Sequence, residues 1–253
     1  MLELAGRTAI VTGGASGIGA GVVAELQHRG VRVVSLDVGR GGPAELEIAC
    51  DVADEASVDA AVAAAVTHLG GLHYAFCNAG VAGMAGFLAM SSVEWDRVVS
   101  VNLRGVFLTL QRTARAIRDT GEGGAIVCTA STAGVLADLG MVHYSVAKIG
   151  VRQMVRVAAR ELGQYGIRVN AVAPGLTETP MTLGTKDIPG YHESVITNTP
   201  LGRVGRIDDI VEAVVALLAL RWVTGQTLIA DGGISLAAGT DIPGITAETL
   251  AGP

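Results

Sequence analysis

The chain has 253 residues, half of them hydrophobic and 17% charged, with a mean hydropathy of +0.48; this composition builds a sizeable buried core and excludes a disordered or solvating segment. Lys and Arg number 18 against 24 Asp and Glu, a formal charge of −6, which argues against nucleic acid or an anionic membrane surface as partner. Apolar runs such as Val211 to Leu220 fall short of the ~20 residues a membrane span needs. Met1-Leu2-Glu3-Leu4 lacks a signal peptide's charged and apolar regions. Cys50, Cys77 and Cys128 have no CxxC spacing and lie in or beside apolar runs, so the expectation is buried free thiols in a reducing cytoplasm.

In chain order, short β-branched runs alternate with Ala-rich segments of helical period. Thr8 to Val11 reads as strand, Gly17 to Arg29 as helix and Val31 to Leu36 as strand. Further helices are predicted at Glu55 to Leu69, Ser92 to Asp119, Tyr144 to Tyr165 and Asp208 to Leu220. Strands are predicted at Leu72 to Cys77, Ala125 to Thr129, Ile167 to Val172 and Gln226 to Ile229. Ser91 and Glu94 have the spacing of a capping box at the head of the middle helix. Strands apolar on both faces, alternating with helices, predict one doubly wound α/β domain with a parallel sheet covered on both sides. Residues 181–200, with Gly184, Pro189 and Gly190, read as a mobile lid. The tail from about residue 238 to 253 reads as a segment that crosses to a neighbouring subunit or frays.

Thr12-Gly13-Gly14-Ala15-Ser16-Gly17-Ile18-Gly19 stands between the first strand and the first helix. Glycines there let the backbone approach a pyrophosphate, and the helix N-terminus offers free N–H groups to that anion. The G-x-x-x-G-x-G spacing departs from the common G-x-G-x-x-G fingerprint, but Asp37 ends the second strand 18 residues after Gly19, near the position where an acidic side chain meets the adenosine ribose. Tyr144 and Lys148 are four residues apart and share one helix face. With only two Lys in the chain, that pairing is not what chance supplies, and a compact ammonium beneath a phenol favours the phenolate. The five His residues show no ligand-like spacing with Cys or carboxylates, so no metal site is expected.

Together these pieces resemble the short-chain dehydrogenase/reductase family over essentially the whole chain: the Gly-rich turn, Asp51-Val52, Asn78-Ala79-Gly80, Asn102, Ser131, Tyr144-x-x-x-Lys148, Pro174-Gly175, Thr177 and Thr179. The resemblance implies a Rossmann-like sheet of strand order 3-2-1-4-5-6-7 and a homotetramer. It makes Tyr144 the general acid/base, Lys148 the residue that lowers its pKa, Ser131 the orienter of the substrate oxygen and Asn102 the holder of a water relay. It gives the cofactor to Gly13, Ser16, Gly17, Ile18, Gly19, Asp37, Asp51, Val52, Asn78, Ala79, Gly80, Pro174, Gly175, Thr177 and Thr179, with Tyr144 and Lys148.

The function implied is NAD-dependent interconversion of a secondary alcohol and a ketone. Asp37 argues for NAD over NADP, with Arg40 as the residue that could reverse the preference. Apolar residues at Ala133 to Ala137, Leu139, Met141, Met181 and Leu183 suit an apolar small-molecule alcohol or ketone, a hydroxysteroid or cyclic alcohol first. The alternatives are a 3-oxoacyl-thioester reductase, a polyol dehydrogenase, and a dinucleotide-binding regulatory protein without turnover.

Overall fold

The computed structural model describes residues 4–236; the expected C-terminal tail lies outside the described residues. Seven strands form one parallel sheet: β1 (Thr8–Thr12), β2 (Arg32–Asp37), β3 (Leu46–Ala49), β4 (Tyr74–Cys77), β5 (Gly124–Thr129), β6 (Ile167–Pro174) and β7 (Thr227–Ala230). Their order is β3-β2-β1-β4-β5-β6-β7, and every neighbouring pair is parallel. The expected Rossmann-like topology is therefore present. β3 carries no strand signal in the sequence reading: it is four residues at the sheet edge, none of them buried, with Glu47 in the middle.

The helices are α1 (Gly17–His28), α2 (Glu55–Leu69), α3 (Ser92–Val99), α4 (Val106–Thr120), α5 (Val142–Leu162), α6 (Tyr191–Asn198) and α7 (Ile207–Ala219). Burial of β-strand side chains on both faces creates two cores. One packs Ile10, Val34, Ala75, Ile126 and Val169 against α2, α4 and α5; the other packs Val11, Val33, Phe76, Val127 and Val172 against α1 and α7. Such two-sided burial explains why these strands read as continuous apolar runs. No helix among the described residues is long and apolar enough to cross a membrane, and Cys50, Cys77 and Cys128 are buried and free.

The middle helix differs from the expectation of one regular helix over Ser92 to Asp119. It runs as α3, then a π-helical stretch over Ser100–Gly105, then α4. Gly105 sits where a Cβ would meet Val52 Cγ2 at 2.8 Å, so the backbone of this stretch presses directly on the loop after β3. Ser91 caps α3 by accepting from the Glu94 N–H at 3.2 Å, but the Glu94 side chain turns to Arg97. Only half of the expected capping box forms. The segment expected to form a lid folds as a 3₁₀ stretch over Pro180–Asp187 followed by α6.

Candidate active site

The C-terminal ends of β1, β2, β4, β5 and β6 open into a cleft of about 300 Å³, the place where parallel sheets of this order carry ligands. The sequence and the fold explain each side chain that reaches it. β1 ends at Thr12, whose buried hydroxyl accepts from the N–H groups of Asn78 and Ala79 at 2.9 and 3.1 Å. This fixes the loop after β4 against the Gly-rich loop. Gly13 has φ +68° and Gly17 φ +54°, conformations that side chains rarely adopt. A Cβ on Gly19 would stand 1.9 Å from the carbonyl oxygen of Gly13, so the loop closes on itself only with glycine there.

Asp37 ends β2, and its carboxylate accepts from the N–H groups of Ala15 at 3.0 Å and Gly39 at 2.9 Å. The acidic group is thereby tied to the Gly-rich loop. Arg40 is not among the residues lining the cleft.

Ser131 follows β5 and leads into a tight turn, Thr132–Gly134. Gly134 permits that turn to lie flush on α5: a Cβ there would meet Ile149 N at 2.9 Å and the Lys148 carbonyl carbon at 3.0 Å. This contact brings Ser131 to Tyr144 and Lys148. The Lys148 ammonium is fully enclosed, 2% exposed, donates to the Thr129 carbonyl at 2.9 Å and stands 5.4 Å from the centre of the Tyr144 ring. Burial pulls its pKa down to about 8. Burial pushes the Tyr144 phenol above its usual value, and the Ser131 hydroxyl beside it works in the opposite direction.

Asn102 lies in the π-helical stretch, completely buried. Its amide donates to the carbonyls of Val81 and Val98 at 2.9 and 3.0 Å, while its Oδ1 has no partner. That oxygen faces Gly80, where a Cβ would meet it at 2.7 Å and Lys148 Nζ at 3.8 Å.

The cleft brings together Gly13, Ser16, Gly17, Ile18, Asp37, Asp51, Val52, Asn78, Ala79, Gly80, Asn102, Ser131, Tyr144, Lys148, Pro174, Gly175, Thr177 and Thr179. Gly19 is the exception among the expected residues: it is buried behind the loop and supports Gly13 rather than lining the cleft. Sequence reasoning gave no role to the Thr12 hydroxyl, the Thr129 carbonyl or Thr182, which also lines the cleft. A Thr closing a strand just before a Gly-rich loop was the available signal for the first.

A dinucleotide fits these residues. The N-terminus of α1 has no side-chain cap from Ser16 and no acidic residue in its first turn, whereas α2 is capped by Asp54. Its N–H groups are left for an anion. The unpartnered Asn102 Oδ1 and the bare backbone at Gly80 provide a polar cradle at the other end.

A family model described as enoyl-(acyl carrier protein) reductase matches residues 13–235. The chain is 35% identical to the L-rhamnose 1-dehydrogenase (NAD(P)(+)) of Azotobacter vinelandii, over 90% of this chain and 96% of that protein. It is 37% identical to the mitochondrial (−)-isopiperitenol/(−)-carveol dehydrogenase of Mentha piperita, over 92% and 94%. The crystal structure of levodione reductase superposes with a TM-score of 0.87 at 34% identity, covering 92% of this chain and 99% of the other.

Proposed function

The chain belongs to the short-chain dehydrogenase/reductase family, and on that premise we propose that it is an NAD-dependent enzyme interconverting an apolar secondary alcohol and its ketone, a cyclic alcohol or hydroxysteroid first. The observation that carries this reading is the convergence of a buried ammonium, a phenol and a hydroxyl in the same cleft as the Asp37 carboxylate. A regulatory dinucleotide-binding protein has no use for Lys148, Tyr144 and Ser131 held together.

A bound nicotinamide dinucleotide supplies the hydride acceptor or donor. Ser131 Oγ hydrogen-bonds the substrate oxygen, and Tyr144 Oη transfers the proton to or from it. Because burial holds the phenol above its ordinary pKa, Tyr144 rests protonated near neutrality, the state a general acid needs for ketone reduction. In the oxidative direction the Lys148 ammonium favours the phenolate, and with a pKa of about 8 it is largely charged at pH 7. Asn102 Oδ1 and the Thr129 carbonyl keep that end of the cleft polar.

Asp37 retains lone pairs for ribose hydroxyls, and its negative charge opposes a 2′-phosphate. The apolar substrate class is supported by exposed Met84 and Leu139, on two loops joined by the Ala85 N–H to Gly140 carbonyl bond at 2.9 Å, and by Met181 in the cleft. The carrier or coenzyme phosphates of an acyl thioester would need cations, but Lys186 is paired with Glu178, Arg203 with Asp209 and Arg97 with Glu94.

The test is a panel of carveol, other cyclic alcohols, hydroxysteroids and their ketones, with L-rhamnose and acetoacetyl-CoA as rivals, followed by NADH absorbance. Turnover of the rivals with none of the cyclic substrates would overturn the substrate class. NADH binding with no turnover across a broad panel would favour the regulatory reading.

A further inference from the structure

The lid begins on a fixed point. Thr177 is buried and bridged to Gly205, with the Glu178 N–H donating to the Gly205 carbonyl at 2.9 Å and the Gly205 N–H to the Leu176 carbonyl at 3.0 Å. From there the chain crosses to the Gly-rich loop: a Cβ on Gly17 would stand 3.6 Å from Thr179 Cβ and 3.7 Å from Pro180 Cδ.

Within this turn the Thr182 hydroxyl meets four polar groups. It donates to the Thr177 carbonyl at 2.6 Å, with the Thr179 carbonyl as a longer second acceptor at 3.1 Å, accepts from the Thr179 N–H at 3.0 Å and lies 3.2 Å from Thr179 Oγ1. A hydroxyl has a single proton, and a carbonyl oxygen can only accept. With that proton committed to these carbonyls, the shorter contact being to Thr177, the contact between the two hydroxyls has one polarity: Thr179 donates and Thr182 accepts. Thr179 Oγ1 is left with its lone pairs and no proton for a ligand. One turn further, Thr185 Oγ1 donates to the Thr182 carbonyl at 2.6 Å, and His192 Nε2 of α6 is 3.0 Å from the same hydroxyl.

We propose that Thr182 is a positioning residue for the cofactor: its hydroxyl latches the lid to Thr177 and makes Thr179 Oγ1 an acceptor for the amide N–H of the nicotinamide half. The inference rests on the dinucleotide reading of the cleft. The adenosine half is held at the Asp37 end and does not depend on the latch.

Thr182→Val keeps the shape and removes the hydroxyl, and Thr182→Ser restores it. NADH affinity, read from its fluorescence on binding, should fall about tenfold in Thr182→Val, the size of one hydrogen bond lost at its upper range, and return to within about twofold in Thr182→Ser. ADP-ribose affinity, measured by calorimetry on the same proteins, should stay unchanged and also reports that Thr182→Val is folded. Unchanged NADH affinity in Thr182→Val would overturn the proposal. Equal losses for NADH and ADP-ribose would overturn it as well, by making Thr182 a general support of the fold. Failure of the unsubstituted protein to bind either ligand would instead remove the dinucleotide reading, and the latch with it.

Discussion

The Lys148 ammonium donates to the Thr129 carbonyl from a position with almost no contact with water. Its pKa of about 8 lies below the ordinary 10.5, so the folded protein resists the proton that the unfolded chain accepts. Below pH 8 the penalty is present in full; between pH 8 and 10.5 the unfolded chain binds more protons and this group's contribution to stability rises with pH. Lys148→Met carries no such penalty. Its stability relative to the unsubstituted protein should therefore decline as pH is raised through that window, by up to about 3 kcal/mol. Urea unfolding at a series of pH values reads the difference directly, and a pH-independent difference would contradict the assignment.

Tyr144→Phe keeps the ring that lies beside Lys148 and removes the transferable proton. Turnover should drop by about 10³-fold, within the range for general acid–base catalysis, while NADH binding and melting temperature change little. Retention of more than about a tenth of the activity would mean another group moves the proton.

The Asp37 carboxylate holds two backbone N–H groups at the lining of the cleft. The unsubstituted enzyme should prefer NAD over NADP by at least about tenfold in kcat/KM, a difference of only ~1.4 kcal/mol. Asp37→Ser should narrow that gap, chiefly by weakening NAD use and admitting NADP. Equal use of both cofactors by the unsubstituted enzyme would assign the 2′-position to Arg40.

Val146, Ile149 and Val157 of α5 and Phe107 of α4 are apolar and between 42% and 47% exposed. Leu228 and Ile229 of the edge strand β7, and Trp222 ahead of it, are likewise uncovered. Light scattering should give a mass about four times the 25.7 kDa of the chain. Val157→Glu should lower that mass to that of a dimer; a monomer before any substitution would refute the assembly.

The Gly-rich loop, Asp37 and the Tyr144–Lys148 pair are legible in sequence because contacts confine each to one residue type: only glycine clears the Gly13 carbonyl at position 19, and only spacing along one helix face is needed to pair Tyr144 with Lys148. β3 escapes because Leu46–Ala49 is too short and too exposed to leave an apolar run. Thr182 escapes for a different reason. Its partners are backbone groups of Thr177 and Thr179, and backbone geometry leaves no periodic trace in side-chain type. The half-formed capping box at Ser91 shows the limit of local pairing rules, since Glu94 gains more from the Arg97 guanidinium than from a backbone N–H.

The π-helical stretch at Ser100–Gly105 acts as a phase shifter. An α-helix turns by about 100° per residue, and the wider turn changes the angular offset between the face of α3 that carries Val98 and the face of α4 that carries Val106, Leu110 and Ile117. Both faces reach their packing partners with that offset in place. Wound as an α-helix with no residue removed, the six residues of the stretch would carry α4 roughly a quarter turn further against the sheet. The winding of this segment is thus constrained by angle rather than by reach.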